Sequence, residues 1–328
     1  MTSENHGSAD AAQLDKVISE AKSILIGTHL NPDGDALGCA LAMSLYLDAR
    51  GKQNEVVCHH MPPKNLEFLP GSERIHQVPL RDDYDLAIML DLESFERLGT
   101  TGPYFEKAPY LVLIDHHIPH HAPGNLRIVD TKAPATAVIL TRMLLEMGGT
   151  LTPEMSTNLL TGIVTDTGSF RYRNTTPEAM HIAARLLEEG GNLNQISEEV
   201  YRSRPIAGMM LLGIMLTKMK TSNEGKLAWS ILVHDDFVKC GATEEDTEEF
   251  VNEMLTIDTV QIAALARESK PGKLRVSLRS RGKYDVAEVA RKFGGGGHIN
   301  AAGCSFETTP EEAEKLLVEG MKVCLASS

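Results

Sequence analysis

Short apolar runs, each ending on or just before a polar residue, limit what this chain can fold into. They are SILIG at 23–27, NEVVCH at 54–59, DLAIMLD at 85–91 and YLVLID at 110–115. Each has strand length, and three of them are apolar almost throughout rather than at alternate positions. Such strands are buried on both faces. The helical patterns ALGCALAMSLYLDARG (36–51) and TAVILTRMLLEMG (136–148) supply the cover. The prediction is an α/β fold whose N-terminal domain is a mostly parallel sheet with helices on both faces. In such sheets ligands sit beyond the carboxyl ends of the strands.

The residues at those ends are therefore the informative ones. After the first strand comes THLNPDGDALG, with His29, Asp33 and Asp35 inside seven residues on a turn-rich loop. A single aspartate there would cap the next helix. A cap alone leaves the histidine and the second aspartate unexplained. DLAIMLD delivers Asp91, YLVLID delivers Asp115, His116 and His117, and GIVTDTGSF supplies Asp166 after an apolar stretch. Carboxylates gathered at one sheet edge repel unless protons or cations intervene, and divalent metals are the economical solution. The mixed imidazole and carboxylate donors suit Mn²⁺, Fe²⁺, Co²⁺ or Zn²⁺ better than Ca²⁺. With no cysteine in the set, a structural zinc site is not expected. The donors outnumber what one ion needs, and two ions about 3.5–4 Å apart form the arrangement that hydrolyses phosphate esters.

Further helices are predicted over 153–170 and 176–191 and a helical linker over 191–222. From about 225 a second, smaller α/β domain follows, with strands at 226–234, 260–268 and 273–281, an acidic helix at 243–255 and a last helix at 310–325. The expected division is a disordered tail at 1–13, a catalytic domain at 14–190, the linker, and a substrate-binding domain at 223–328.

Composition excludes several classes. The 328 residues carry 32 basic and 45 acidic side chains, a net charge of −13, which argues against a surface that binds duplex nucleic acid through a basic stripe. No apolar run reaches the ~18–20 residues of a membrane span. The first residues lack the charged and apolar regions of a secretory signal. Five scattered cysteines without a CxxC pair predict reduced thiols and a cytoplasmic setting.

HLNPDGDALG, the aspartate of MLDLESFERLG, IDHH and GIVTDTGSF stand in the order of the DHH phosphoesterases, and GGGGHINAAG (294–303) resembles the glycine-rich motif of the DHH-associated C-terminal domain. Within that family the chain looks most like the bifunctional oligoribonucleases and pAp phosphatases. The resemblance implies a two-metal phosphoesterase, with Mn²⁺ as the expected ion, acting on short single-stranded RNA or on 3′-phosphoadenosine 5′-phosphate. It implies that His29, Asp33 and Asp91 hold one metal, that Asp35, Asp91, His116 and Asp166 hold the other, and that Asp91 is the bridge. His117 becomes a catalytic or phosphate-contacting residue, and Asp115 orients His116 from behind. Arg279, Gly296, Gly297 and His298 are expected to contact substrate, with Arg281 a weaker candidate. A homodimer is a family-level expectation. Cys39 stands where the family usually has serine. The competing readings are a phosphodiesterase of cyclic or linear dinucleotides, an inorganic pyrophosphatase, and a nucleotide-binding sensor without catalysis.

Overall fold

The structure is a computed structural model, and it describes residues 4–92, 94–118, 123–202 and 204–327. The chain divides into two compact units, 1–203 and 204–328.

The first unit contains, in chain order, α1 (Glu4–Glu20), β1 (Ser23–Gly27), α2 (Gly34–Ala49), β2 (Gln53–Val57), β3 (Ile75–His76), β4 (Leu86–Leu90), α3 (Gly102–Phe105), β5 (Leu111–Asp115), β6 (Leu126–Val129), α4 (Thr136–Glu146), α5 (Pro153–Asp166), α6 (Pro177–Glu188) and α7 (Leu193–Tyr201). Its strands are all parallel and lie in the order β3-β2-β1-β4-β5-β6. The strand order reverses between β1 and β4, so a crevice is expected beyond the carboxyl ends of these two neighbours. Ile24, Ile26, Ile88, Leu90, Val112 and Ile114 face a core built with the helices. Leu25, Val57, Ala87, Met89 and Leu113 face a second core with Leu98 and Phe105. That two-sided burial is why these strands lack polar alternation.

The expected disordered tail at 1–13 gives way to α1 over its described part. Ala11, Leu14, Val17 and Ile18 form a helical stripe, all buried in the first core, and this burial holds the segment. Two strands escape the sequence pattern, β3 with two residues and β6 with four, because neither is long enough to show a period.

Two helices carry site residues and pack unusually closely. A Cβ at Gly38 of α2 would lie 2.3 Å from the Asn158 carbonyl oxygen of α5, and one at Gly162 of α5 would lie 2.4 Å from the Asp35 carboxylate. Only hydrogen fits at these positions, so the backbones of α2 and α5 approach directly.

The second unit contains α8 (Ile206–Lys218), β7 (Lys220–Ser222), β8 (Leu227–Leu232), α9 (His234–Cys240), α10 (Phe250–Leu255), β9 (Ile262–Lys270), β10 (Lys273–Ser280), α11 (Val286–Lys292), β11 (Gly296–His298), β12 (Ala301–Phe306) and α12 (Pro310–Ala326). Its strand order is β11-β12-β10-β9-β8-β7, antiparallel except for the β8–β9 pair. The expected helical linker at 191–222 is divided: α7 lies in the first unit, and α8 packs within the second, where Leu211, Leu212 and Met215 join Phe237, Phe250 and Leu265. The single helix expected over 243–255 is broken at Glu249, whose φ of 66° lies in the left-handed region. The acidic run before it places like charges at helical neighbours, which disfavours continuation. The glycine-rich stretch is also more ordered than a loop, since Gly296–His298 pairs with Ala301–Gly303 as an edge strand.

The close approach of α2 and α5 makes a direct expectation. Gly38→Ala forces backbone atoms apart and should cost about 1–3 kcal/mol in urea unfolding, the usual range for overpacking. Gly213→Ala in α8, where an added Cβ meets nothing within 4 Å, should be neutral or slightly stabilising.

Candidate metal centre

Each expected metal ligand in the first unit reaches the same sheet edge by its own route. His29 follows β1, Asp33 and Asp35 open α2, Asp91 follows β4, His116 and His117 follow β5, and Asp166 is the last residue of α5. Three overlapping groups place one ligand atom per residue within 4.8 Å of each other: His29 with Asp33 and Asp91; Asp35 with His116 and Asp166; and Asp91 with His116 and His117.

Asp91 is the centre of this set. Its carboxylate is buried, with Oδ2 3.4 Å from His29 Nε2 and Oδ1 3.5 Å from both His116 Nε2 and His117 Nδ1. Thr136 Oγ1 donates to Oδ1 at 2.8 Å. The residue has φ of 60°, a backbone strain that a non-glycine residue keeps only where its surroundings enforce it. Its amide donates to the Ile114 carbonyl of the neighbouring strand at 3.0 Å, which fixes the turn.

Asp33 has two functions, one on each oxygen. Oδ1 caps α2 by accepting from the amides of Asp35 and Ala36 at 3.0 Å, and Oδ2 stands 3.8 Å from His29 Nε2. Asp35 is wholly buried and accepts from the amides of Thr136 at 2.5 Å and Ala137 at 2.9 Å, at the first turn of α4. The Cys39 thiol donates to the same carboxylate at 3.4 Å.

The tautomers of two histidines fit metal ligation. His29 Nδ1 lies 2.8 Å from the Leu30 carbonyl and His116 Nδ1 lies 3.3 Å from the Ala133 carbonyl. A carbonyl only accepts, so each Nδ1 carries a proton and each ring aims its Nε2 at carboxylate oxygens. For His116 these are Asp91 Oδ1 and Asp166 Oδ2, the latter at 3.3 Å. An Nε2 that faces carboxylates needs either a proton on it or a cation between, and a divalent ion in that place takes over the role of the proton. Donors of one ion at ~2.1 Å stand on the order of 3 Å apart, which these separations approach. Outer partners that fix ring orientation are the usual support for metal-binding histidines.

Asp115 differs from expectation. Its Oδ1 accepts from the backbone amide of His117 at 3.1 Å and from His117 Nδ1 at 2.8 Å, so it orients His117 and not His116. The cause is local: an aspartate at the end of a strand readily bonds the amide two residues on, which carries that residue's side chain onto the same oxygen.

Arg279, Gly296, Gly297 and His298 lie in the second unit, Arg279 on β10 and the other three on β11, and register places Arg279 and His298 opposite the same residue, Ala301. Arg281 is held by the carbonyls of Leu255 and Asp258 and serves the fold. His120 and His121 fall outside the described residues. Three further contributors were not among the expected site residues. Thr136 holds Asp91, and the Nδ1 of His60 accepts the Asn31 amide at 3.1 Å, steadying the loop that bears His29. Gly162 lets Asp35 approach α5. A hydroxyl at the start of a helix was a readable signal for Thr136; the other two depend on tertiary contact.

The charge balance of the site has a pH consequence. Burial, reinforced by the neighbouring carboxylates, raises Asp35 and Asp166 well above the usual carboxylate range. Burial opposes charge on His29, but the hydrogen bond that it donates to Asp91 and the charges of Asp33 and Asp91 outweigh it and raise His29 to about 9. Burial likewise disfavours the Asp91 anion, yet His29, His116 and His117 hold it below the usual range. Groups raised on folding bind more protons folded than unfolded, so stability falls as pH rises. In chelator, the melting temperature should decrease between pH 6.5 and 9, the window set by His29, and saturating Mn²⁺ should flatten that decrease. A flat or rising profile in chelator contradicts this charge assignment.

The DHH family, N-terminal domain, matches residues 23–163, and the DHHA1 domain matches residues 224–326. The bifunctional oligoribonuclease and PAP phosphatase NrnA of Thermus thermophilus is 34% identical over 284 residues, covering 87% of this chain and 84% of that protein. The probable bifunctional oligoribonuclease and PAP phosphatase NrnA of Streptococcus mutans is 28% identical over 292 residues, covering 89% and 92%. The crystal structure of an exopolyphosphatase-related protein from Bacteroides fragilis superposes with a TM-score of 0.91 at 28% identity over 96% of each chain. The chain belongs to the DHH family of phosphoesterases, with a DHH domain in its first unit and a DHHA1 domain in its second.

Proposed function

We propose that this chain is a phosphoesterase that hydrolyses short oligoribonucleotides to mononucleotides and removes a phosphate from 3′-phosphoadenosine 5′-phosphate (PAP). Two divalent ions, Mn²⁺ by preference, would be held about Asp91. The observation that carries most weight is this carboxylate itself. One oxygen serves the group of His29 and Asp33, and the other serves His116, whose partners are Asp35 and Asp166. The two relatives named as oligoribonuclease and PAP phosphatase point to the same substrates. No helix among the described residues is long and apolar enough to cross a membrane, and the five cysteines are free. Both facts accord with work in the cytoplasm.

In this reading His29, Asp33 and Asp91 hold one ion, and Asp35, Asp91, His116 and Asp166 hold the other. Such ions, when bound, supply Lewis acidity towards a phosphoryl group and lower the proton affinity of water. The protein supplies position and proton control. Thr136 fixes the Asp91 carboxylate, and the amides at the start of α4 fix Asp35. Asp115 fixes His117 through Nδ1, which leaves Nε2 to hold a proton for the departing ester oxygen.

In the second unit, the glycine run supports phosphate contact at one position in particular. Gly294 has φ of 73° at the end of α11, a Cβ at Gly295 would strike the Gly303 carbonyl oxygen at 2.0 Å, and Gly297 has φ of 138°. The fold explains these three. Gly296 has neither constraint, and an added Cβ there meets nothing within 4 Å. Its bareness fits close approach of a ligand to the backbone. Arg279 has the forked guanidinium suited to a phosphate.

The deciding assay gives the full chain a dinucleotide, an RNA pentanucleotide and PAP, each with Mn²⁺ and with EDTA. Metal-dependent release of mononucleotides and of AMP with phosphate is expected. Binding without turnover would turn the reading into a sensor. Asp115→Asn should reduce kcat about 10–100-fold, the range for losing an outer partner, and Asp91→Ala should reduce it further. Near-normal turnover in Asp91→Ala contradicts the site. Gly296→Ala should leave the melting temperature unchanged and raise KM severalfold.

A further inference from the structure

The second unit's sheet has two faces that are covered differently. Leu274, Val276 and Leu278 of β10 enter the core beneath α11 and α12, together with Ala302, Cys304 and Phe306 of β12. The alternate residues face the other way. There α8, α9 and α10 build their apolar core on Ala228 of β8 and on Ala263 and Leu265 of β9, and no residue of β10, β11 or β12 enters it. The remaining strip is polar and basic.

Register defines the strip in rows. Arg275 of β10 stands between Arg267 of β9 and Ser305 of β12. Ser277 stands beside Gly303, which pairs with Gly296, and Arg279 stands beside Ala301, which pairs with His298. The floor is thus glycine and alanine, and arginines line its β9–β10 side. The chain carries a net charge of −13, so this basic concentration runs against the bulk.

Arg267 is the independent sign that an anion belongs here. It is largely buried, with Nη1 donating to Thr247 Oγ1 at 3.1 Å and Nη2 to Ser277 Oγ at 2.6 Å, and its buried Nε has no partner. Burial holds it below the ordinary arginine range against the pull of Glu244, and the charges of Arg275 and Arg279 act in the same direction as burial. A buried cation is costly unless neutralised. Of the neighbouring acids, Glu244 is already engaged by Arg275 at 3.3 Å.

We propose that this strip binds the inner phosphates of an oligoribonucleotide, with Arg275 as a direct phosphate contact and Arg267 as a positioning residue that fixes Ser277 and adds to the field. The inference rests on the substrate reading above and specifies its length dependence. Arg275 and Arg279 are four residues apart on one strand, about 13 Å between Cα atoms. A substrate held at the Arg279 and His298 end would therefore need additional nucleotides to reach Arg275, and PAP has one nucleoside.

The test compares KM for an RNA pentanucleotide and for PAP in Mn²⁺ at two salt concentrations. Arg275→Ala should raise KM for the pentanucleotide about tenfold more than for PAP and leave the ratio of kcat values unchanged. The dependence of log KM on log salt for the pentanucleotide should fall by about 0.7, the contribution of one phosphate contact on a single strand. Arg275→Lys should keep that salt dependence, and Glu244→Gln, which releases Arg275, should lower KM for the pentanucleotide. Equal effects on both substrates, or none, overturn the proposal. If the wild-type chain turns over neither substrate, the functional reading fails separately. Fluorescence anisotropy of a labelled pentanucleotide in EDTA then decides for the strip. Tenfold weaker binding by Arg275→Ala supports it, and unchanged or absent binding overturns it.

Discussion

Everything in the first unit is organised around a repulsion. Asp33, Asp35, Asp91 and Asp166 converge at one edge of a sheet, Asp35 and Asp91 buried and Asp166 partly so. In water these carboxylates would disperse. Here the fold holds them together, with Asp35 and Asp166 raised in proton affinity and imidazoles against Asp91, and each of these features marks a place where positive charge is wanted. A cation pair would satisfy at once the ring nitrogens of His29 and His116 and the charges that face them.

The sheet topology makes the convergence possible. β1 and β4 are neighbours although α2, β2 and β3 intervene in sequence, so their ends deliver His29 and Asp91 side by side. β5 brings His116 and His117 to the next position. Helices complete the ring: α2 through Asp35, α4 through its first amides, and α5 through Asp166. The closeness of α2 and α5 depends on the absence of side chains at Gly38 and Gly162, so the centre rests on what these helices lack as much as on what they carry.

Much of this was legible in the sequence because strand ends are legible. Continuous apolar runs gave the buried parallel sheet, and polar residues set directly after them could only lie at its carboxyl edge. That rule and the ordered motifs led to the expectation that His29, Asp33, Asp35, Asp91, His116 and Asp166 meet there, and the structure brings these side chains together. What stayed hidden depends on tertiary geometry. The pairing of Asp115 with His117 is set by a turn of two residues, and His60 reaches Asn31 only because β2 lies beside β1. The break at Glu249 reflects charge crowding that a period-based reading passes over. The strip of Arg267, Arg275 and Arg279 exists only once strand register is known, since Arg267 precedes Arg275 by eight residues yet stands opposite it.

The central claim is that buried acids and imidazoles form a cage for two divalent ions, and anomalous diffraction at the manganese edge from Mn²⁺-soaked crystals tests it most directly. The account predicts two anomalous peaks in the first unit, one within bonding distance of His29, Asp33 and Asp91, and the other within bonding distance of Asp35, His116 and Asp166, with Asp91 touching both. A single peak, or peaks that leave Asp91 without metal, would contradict it.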